Sequence, residues 1–188
     1  MEKNIVLMGI KHCGKSTQGK MLAEKLKIPF YDTDDVLKEI SGKSAREIFA
    51  SEGEQAFKEA EVKACSFIAE KKEKCVVSTG GGICNNKEAL DILHVNGIFV
   101  FLNAEESICA GRIFKKVEFT KDGKMLNLPA YIANKNPNDE SEARLVFHSF
   151  YCERVKVYKS LADLTIDMAD RTKTENARCL YEEVKALG

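Results

Sequence analysis

The chain has 188 residues, with 29 Lys+Arg against 29 Asp+Glu and a formal net charge of zero. That length predicts a single domain, residues 1–188, with one sizeable core. The charge balance leaves no electrostatic footprint for nucleic acid or an anionic membrane. No apolar run approaches the roughly 18 residues a bilayer span needs, and the seven cysteines contain no C-x-x-C, which argues for reduced thiols in a cytoplasmic protein rather than for zinc or disulfides.

The N-terminus shows no signal-peptide pattern and leads straight into Ile5-Val6-Leu7-Met8. This run is apolar on both faces and predicts a buried parallel strand. Gly9-Ile10-Lys11-His12-Cys13-Gly14-Lys15-Ser16-Thr17 follows, and a helical pattern through Met21, Leu22 and Leu26 comes next. The spacing G-x-x-x-x-G-K-[ST] between a strand and a helix is that of a phosphate-binding loop. Its backbone N–H groups and the helix N-terminus cradle phosphate oxygens. Gly9, Lys11, His12, Cys13, Gly14, Lys15, Ser16 and Thr17 are therefore candidate nucleotide-binding residues. Lys15 reaches the outer phosphates, and the Ser16 hydroxyl ligates Mg²⁺ carried by the nucleotide. Cys13, at a helix N-terminus beside Lys15, is placed where thiol pKa values fall, so thiol modification is expected to block nucleotide binding.

Helix one is expected over residues 15–27, stopping before Pro29. A short strand, Phe30-Tyr31-Asp32, runs into the acidic cluster Asp32-Thr33-Asp34-Asp35. Thr33 or Asp34 caps the next helix, which Gly42 ends. Ser44-Ala45-Arg46-Glu47 spells a capping box for a short helix with Ile48 and Phe49, and a longer helix is expected over residues 51–72. The strand Cys75-Val76-Val77-Ser78 enters Thr79-Gly80-Gly81-Gly82. A helix through Ala89, Leu90 and Leu93, a strand over residues 98–102 and a helix over residues 104–114 follow. Residues 115–138 are lysine-rich and weakly periodic, which predicts a mobile lid rather than packed structure. A long helix (139–160), a strand (164–167) and a helix (174–186) complete the chain. Strands alternating with helices imply a three-layer α-β-α fold around a parallel sheet, with ligands beyond the carboxyl ends of its strands.

Three polar features sit at those ends. The phosphate loop is one. In the second, Asp32 can hold a water of the Mg²⁺ shell, and Asp34 can accept a proton from a substrate hydroxyl. The third is the glycine triplet, which permits close approach of a ligand to the backbone. Arginine is scarce beside lysine (Arg46, Arg112, Arg144, Arg154, Arg171, Arg178). Its planar fork suits carboxylate and phosphate recognition or stacking on a base.

These residues resemble the shikimate kinase family over nearly the whole chain. The matches, in order, are the phosphate loop, the D-T-D segment Asp32-Thr33-Asp34, Ile48-Phe49 with Gly53-Glu54-Gln55-Ala56-Phe57-Lys58-Glu59-Ala60-Glu61, the triplet Gly80-Gly81-Gly82, and Arg154-Val155-Lys156-Val157-Tyr158 with Ala162-Asp163. The resemblance implies a five-stranded parallel sheet of order 2-3-1-4-5 and an ATP- and Mg²⁺-dependent kinase acting on the 3-hydroxyl of shikimate. Lys15 and Asp34 would be catalytic, Ser16 and Asp32 would serve the metal, and Arg112 would lie against the adenine. Asp34, Lys58, Gly80, Gly81, Gly82 and Arg154 would form the shikimate site.

Three departures stand out. Lys58 replaces a second carboxylate-binding arginine, and Glu61, one helical turn on, is expected to orient it. Leu128-Pro129 stands where the lid carries an arginine before proline, so Lys115, Lys116, Lys121 or Lys124 is expected to substitute. His12 replaces a glycine. The departures favour two alternatives: a kinase of the same fold for another small hydroxylated acid or sugar acid, or a catalytically weak nucleotide-binding homologue. No helix shows an exposed apolar stripe, and a monomer is expected.

Overall fold

The structure, a computed structural model, describes residues 3–187. Its central sheet contains β1 (Asn4–Met8), β2 (Phe30–Asp32), β3 (Val76–Ser78), β4 (Gly97–Ala104) and β7 (Leu164–Met168), all parallel, in the order β2-β3-β1-β4-β7. Strands β5 (Glu118–Phe119) and β6 (Met125–Leu126) form a separate antiparallel hairpin. Counting only the central strands, the order is the expected 2-3-1-4-5. The inner strands are apolar on both faces because both are covered. Ile5, Val6, Leu7, Met8, Val76 and Val77 are fully buried, each such side chain stabilising the fold by roughly 1.5–3 kcal/mol.

The helices follow from the direction of the crossovers. Only the step from β1 to β2 runs towards one edge, and it carries α1 (Lys15–Leu26); the later steps run the other way. Right-handed connections therefore put α1 on one face. The opposite face receives α3 (Ala45–Ala69), α4 (Lys87–Val95) and α7 (Glu140–Leu161). The last helix, α8 (Lys173–Ala186), packs beside α1. The switch in direction lies at β1, so the cleft opens at the carboxyl ends of β1, β2 and β3. Among the described residues no helix is long and apolar enough to cross a membrane.

Local chemistry sets the joints. Helix α2 (Thr33–Ser41) is capped by Asp32, whose Oδ1 accepts the Asp34 N–H at 3.1 Å. The cap is thus one residue before Thr33 and two before Asp34, because the strand carries Asp32 to its end in extended geometry. Gly42 closes α2 in the left-handed region (φ 72°). The Ser44–Glu47 capping box forms in full. The two helices expected here run on as one rod that kinks at Gly53, where φ is 90°, a value only glycine adopts without strain. The kink brings the Phe49 and Phe57 rings to 6.2 Å, edge to face.

Strand β4 extends to Ala104, so α5 (Glu106–Phe114) begins later than the periodicity suggests. Within residues 115–138, the hairpin is followed by α6 (Ala130–Ala133). Leu128 and Ile132 are buried in the core and the Tyr131 ring packs, tilted by 35°, on Phe150 at 4.5 Å. The second half of this segment is therefore packed, while Phe119 and Leu126 on the hairpin are exposed.

Candidate active site

Sheet register brings the polar residues to one level. Asp32 is paired with Ser78, and Ser78 with Leu7, two residues before the phosphate loop. The Ser16 hydroxyl donates to Asp32 Oδ2 at 2.6 Å and lies 3.4 Å from the Ser78 hydroxyl. Three oxygens from two strands and α1 thus converge at the floor of the cleft.

The loop itself is built for anions. Gly9, His12 and Gly14 have φ of 152°, 67° and 112°, which turns successive N–H groups inward. Helix α1 starts without a side-chain cap and without an acid in its first turn, so its first N–H groups and the positive end of its dipole face the cleft. Lys15 is buried, and its ammonium donates to the Gly9 and Ile10 carbonyls at 2.9 and 3.1 Å. The Cys13 Sγ lies 3.9 Å from that ammonium. Cys13 is only 2% exposed, which shields it from reagents unless the loop opens. Substituting Gly9 would drive a Cβ to 2.8 Å from Cys13 Sγ and 2.9 Å from the Leu102 carbonyl oxygen, so only glycine fits there.

Arg112, from α5, donates to the His12 carbonyl at 2.7 Å. It therefore braces the loop as well as lining the cleft. Desolvation, followed by the cations of Lys116, Lys11, Lys15 and Arg112, pushes His12 down to a pKa of about 4. Its imidazole is neutral at physiological pH.

The cleft holds about 520 Å³. One end is walled by the loop, Asp32 and Asp34, and the other by Ile108, Arg112, Met168, Ala169, Arg171 and Asn176. The β7–α8 wall was not singled out from sequence. Its signal was the general rule that ligands bind at strand carboxyl ends, applied to β7.

Beyond the loop lies the acceptor side. Thr33 Oγ1 accepts the Gly80 N–H at 3.0 Å, and Thr79 Oγ1 donates to the Leu7 carbonyl at 3.1 Å. These two buried threonines fix the glycine triplet against α2 and β1. The Gly81 carbonyl accepts from the Arg154 guanidinium and from the Tyr158 hydroxyl. Arg154 also lies 5.2 Å from the Tyr131 ring and 4.9 Å from the Phe150 ring, which pack on each other, so its fork rests against an aromatic pair.

Asp34 opens onto the cleft but is hemmed by protein. Desolvation and the neighbouring Asp32 carboxylate raise its pKa. Glu61 is buried, pushed up to about 7 by desolvation against the lowering effect of its Asn86 hydrogen bond. Asn86 Nδ2 donates to Glu61 Oε2 at 2.9 Å, while Glu61 Oε1 has no hydrogen-bond partner. Lys58 pairs with Glu54 at 2.8 Å, correcting the expectation that Glu61 orients it. Residues i and i+4 on this turn favour Glu54, and Glu61 points inward to Asn86.

A phosphate-binding loop, a hydroxyl–carboxylate floor and a confined carboxylate, with an arginine bound to the glycine triplet behind it, invite comparison with known proteins. The family model for shikimate kinase matches residues 11–185. A shikimate kinase of Caldanaerobacter subterraneus subsp. tengcongensis is 34% identical over 93% of this chain and 92% of its own. The chain belongs to the shikimate kinase family. Among solved structures, the shikimate kinase of Aquifex aeolicus superposes with a TM-score of 0.69 at 31% identity, covering 98% of this chain and 99% of that one. A shikimate kinase from Acinetobacter baumannii in complex with shikimate shares the fold, with a TM-score of 0.78 at 23% identity over 98% of this chain and 94% of that one. The family's enzymes are phosphotransferases that act on an alcohol group.

Proposed function

We infer that the chain phosphorylates the 3-hydroxyl of shikimate with ATP. The observation that carries the reading is that one cleft is lined by the phosphate loop, Asp34 and Gly81, whose carbonyl holds Arg154. The Acinetobacter structure with bound shikimate supports the choice of acceptor.

Each residue has a role that phosphoryl transfer demands, namely positioning and charge stabilisation. Gly9, Lys11, His12, Cys13, Gly14, Ser16 and Thr17 enclose the phosphates. Lys15 leaves the Gly9 and Ile10 carbonyls for the phosphate oxygens and stabilises charge in transfer. Arg112 lies against the adenine, with Arg171 on the opposite rim. Asp34, whose raised pKa makes it a better base than an ordinary aspartate, takes the hydroxyl proton. Arg154 binds the substrate carboxylate, aided by Lys58, and the triplet Gly80, Gly81, Gly82 lines the pocket.

Mg²⁺ fits the floor of the cleft. The Ser16 hydroxyl and the Asp32 carboxylate are hard oxygen donors within 2.6 Å of each other. Mg²⁺ prefers one or two such ligands, completed by water and phosphate. When bound it supplies charge neutralisation on the phosphates.

The β5–β6 hairpin, in the first half of residues 115–138, acts as a lid, and the protein works as a cytoplasmic monomer. One experiment tests the reading. ADP formation from MgATP is expected with shikimate and not with gluconate or quinate. Turnover with gluconate or quinate in place of shikimate would assign a different acceptor.

A further inference from the structure

Phosphoryl transfer spreads charge over three equatorial oxygens, and more than one cation is normally set against it. Besides Lys11, the described cations lining this cleft are Lys15, Arg112, Arg171 and Lys173. Lys15 serves the loop. Arg112 is held by the His12 carbonyl at 2.7 Å, and Arg171 donates to Cys179 Sγ at 3.1 Å on the far wall. Residues 115–138 contain no arginine, and Leu128 is buried in the core, so this position cannot present a charge to the cleft; of the lid lysines expected to substitute, Lys116 lies near enough to act on His12 and Lys11.

Lys11 is different. Its side chain lines the same cleft as Lys15, Ser16 and Asp34. Its backbone is pressed against the triplet: a Cβ on Gly81 would stand 3.0 Å from the Lys11 nitrogen and 3.2 Å from its Cα. This contact fixes where the side chain leaves the loop, at the boundary between the phosphate cradle and the acceptor pocket. The charges that act on Lys11 come from both sides of that boundary. Asp34 attracts it, and Arg46, Lys116 and Lys15 repel it. Desolvation is the larger influence and lowers the Lys11 pKa, with the three cations adding to it and Asp34 opposing; an anion bound beside the side chain would favour its charged form.

We propose that Lys11, a variable position of the loop pattern, is a second phosphate-neutralising lysine that contacts the γ-phosphoryl group as it passes from ATP to the acceptor. This rests on the kinase reading above. In the step concerned, the acceptor hydroxyl oxygen bonds to the γ-phosphorus and the bond from that phosphorus to the β–γ bridging oxygen breaks. The hydroxyl proton goes to Asp34 and ADP leaves. Lys11 transfers no proton. It compensates charge on the moving group together with Lys15.

The test uses Lys11→Met and Lys11→Arg in the full chain. ATP and ADP affinities, measured by calorimetry with Mg²⁺ and without acceptor, are expected to separate: ATP binding weakens about tenfold in Lys11→Met, while ADP binding stays within twofold. Lys11→Arg retains the wild-type ratio. With acceptor present, kcat of Lys11→Met falls about 100-fold with the acceptor KM within threefold. Two results overturn the proposal. In one, the ATP-to-ADP affinity ratio is unchanged and the lost activity returns at higher pH, which means Lys11 only tunes Asp34. In the other, the acceptor KM rises while kcat holds, which makes Lys11 an acceptor-binding residue. The nucleotide titrations involve no acceptor, so they decide the question even if shikimate proves not to be the substrate.

Discussion

Asp34 and Glu61 close on Gly80 from two helices: a methyl group placed there would stand 3.1 Å from Asp34 Oδ1 and 3.4 Å from Glu61 Oε1. Gly80 has no positive φ, so the backbone itself accepts alanine. The cost of Gly80→Ala falls on the two carboxylates, which must yield by a few tenths of an ångström. Small displacements of a positioned base are costly to rate. Gly80→Ala is expected to lower kcat/KM by roughly tenfold to a hundredfold while Tm moves by no more than about 3 °C. Steady-state kinetics beside a thermal melt checks this. Wild-type kinetics in the variant would mean that the contact does not position Asp34.

Glu61 makes stability depend on pH in a defined direction. Its carboxyl titrates at about 7 in the fold against 4.5 for an ordinary glutamate. The folded chain therefore binds a proton that the unfolded chain has released between those values. Stability from the neutral form is complete below about pH 4.5 and is lost as pH rises through 7. Glu61→Gln keeps the Asn86 contact and removes the titration. Its advantage over wild type is expected to grow between pH 5 and 7 to on the order of 2–3 kcal/mol, then level off. Denaturant melts across that range measure it. A gap that does not change with pH contradicts the assignment.

Lys58 is held by Glu54 on the exposed face of the kinked helix. To reach a substrate carboxylate it must release that partner, and an exposed i,i+4 pair is worth about 0.3–0.5 kcal/mol. Glu54→Gln is therefore expected to lower the shikimate KM about twofold, with kcat unchanged. Lys58→Arg restores the planar fork and is expected to lower KM further. A rise in KM for Lys58→Arg would show that the pocket is built around lysine.

What the sequence revealed follows the range over which each feature is determined. The phosphate loop, the Ser44–Glu47 box, the Gly42 stop and the strand alternation are set within a few residues, and the structure carries all of them. Where neighbours in sequence compete, local pattern leaves the choice within one or two residues or between two partners. Asp32 caps α2 in place of Thr33 or Asp34, and Glu54 holds Lys58 in place of Glu61. The β7–α8 wall, with Met168, Ala169, Arg171 and Asn176, depends on α8 docking beside α1, a contact between distant parts of the chain that no local pattern encodes. Likewise, weak periodicity hid the packing of Leu128 and Ile132, because the anchoring helix α6 is a single turn.

The central claim joins a nucleotide site to an acceptor site through Asp34, and Asp34→Asn separates the two. Shikimate-dependent ADP formation from MgATP is expected to fall at least 100-fold in the variant, with ADP affinity by calorimetry within twofold of wild type. Turnover that survives Asp34→Asn, or that is absent in the wild type despite MgATP binding, would contradict the account.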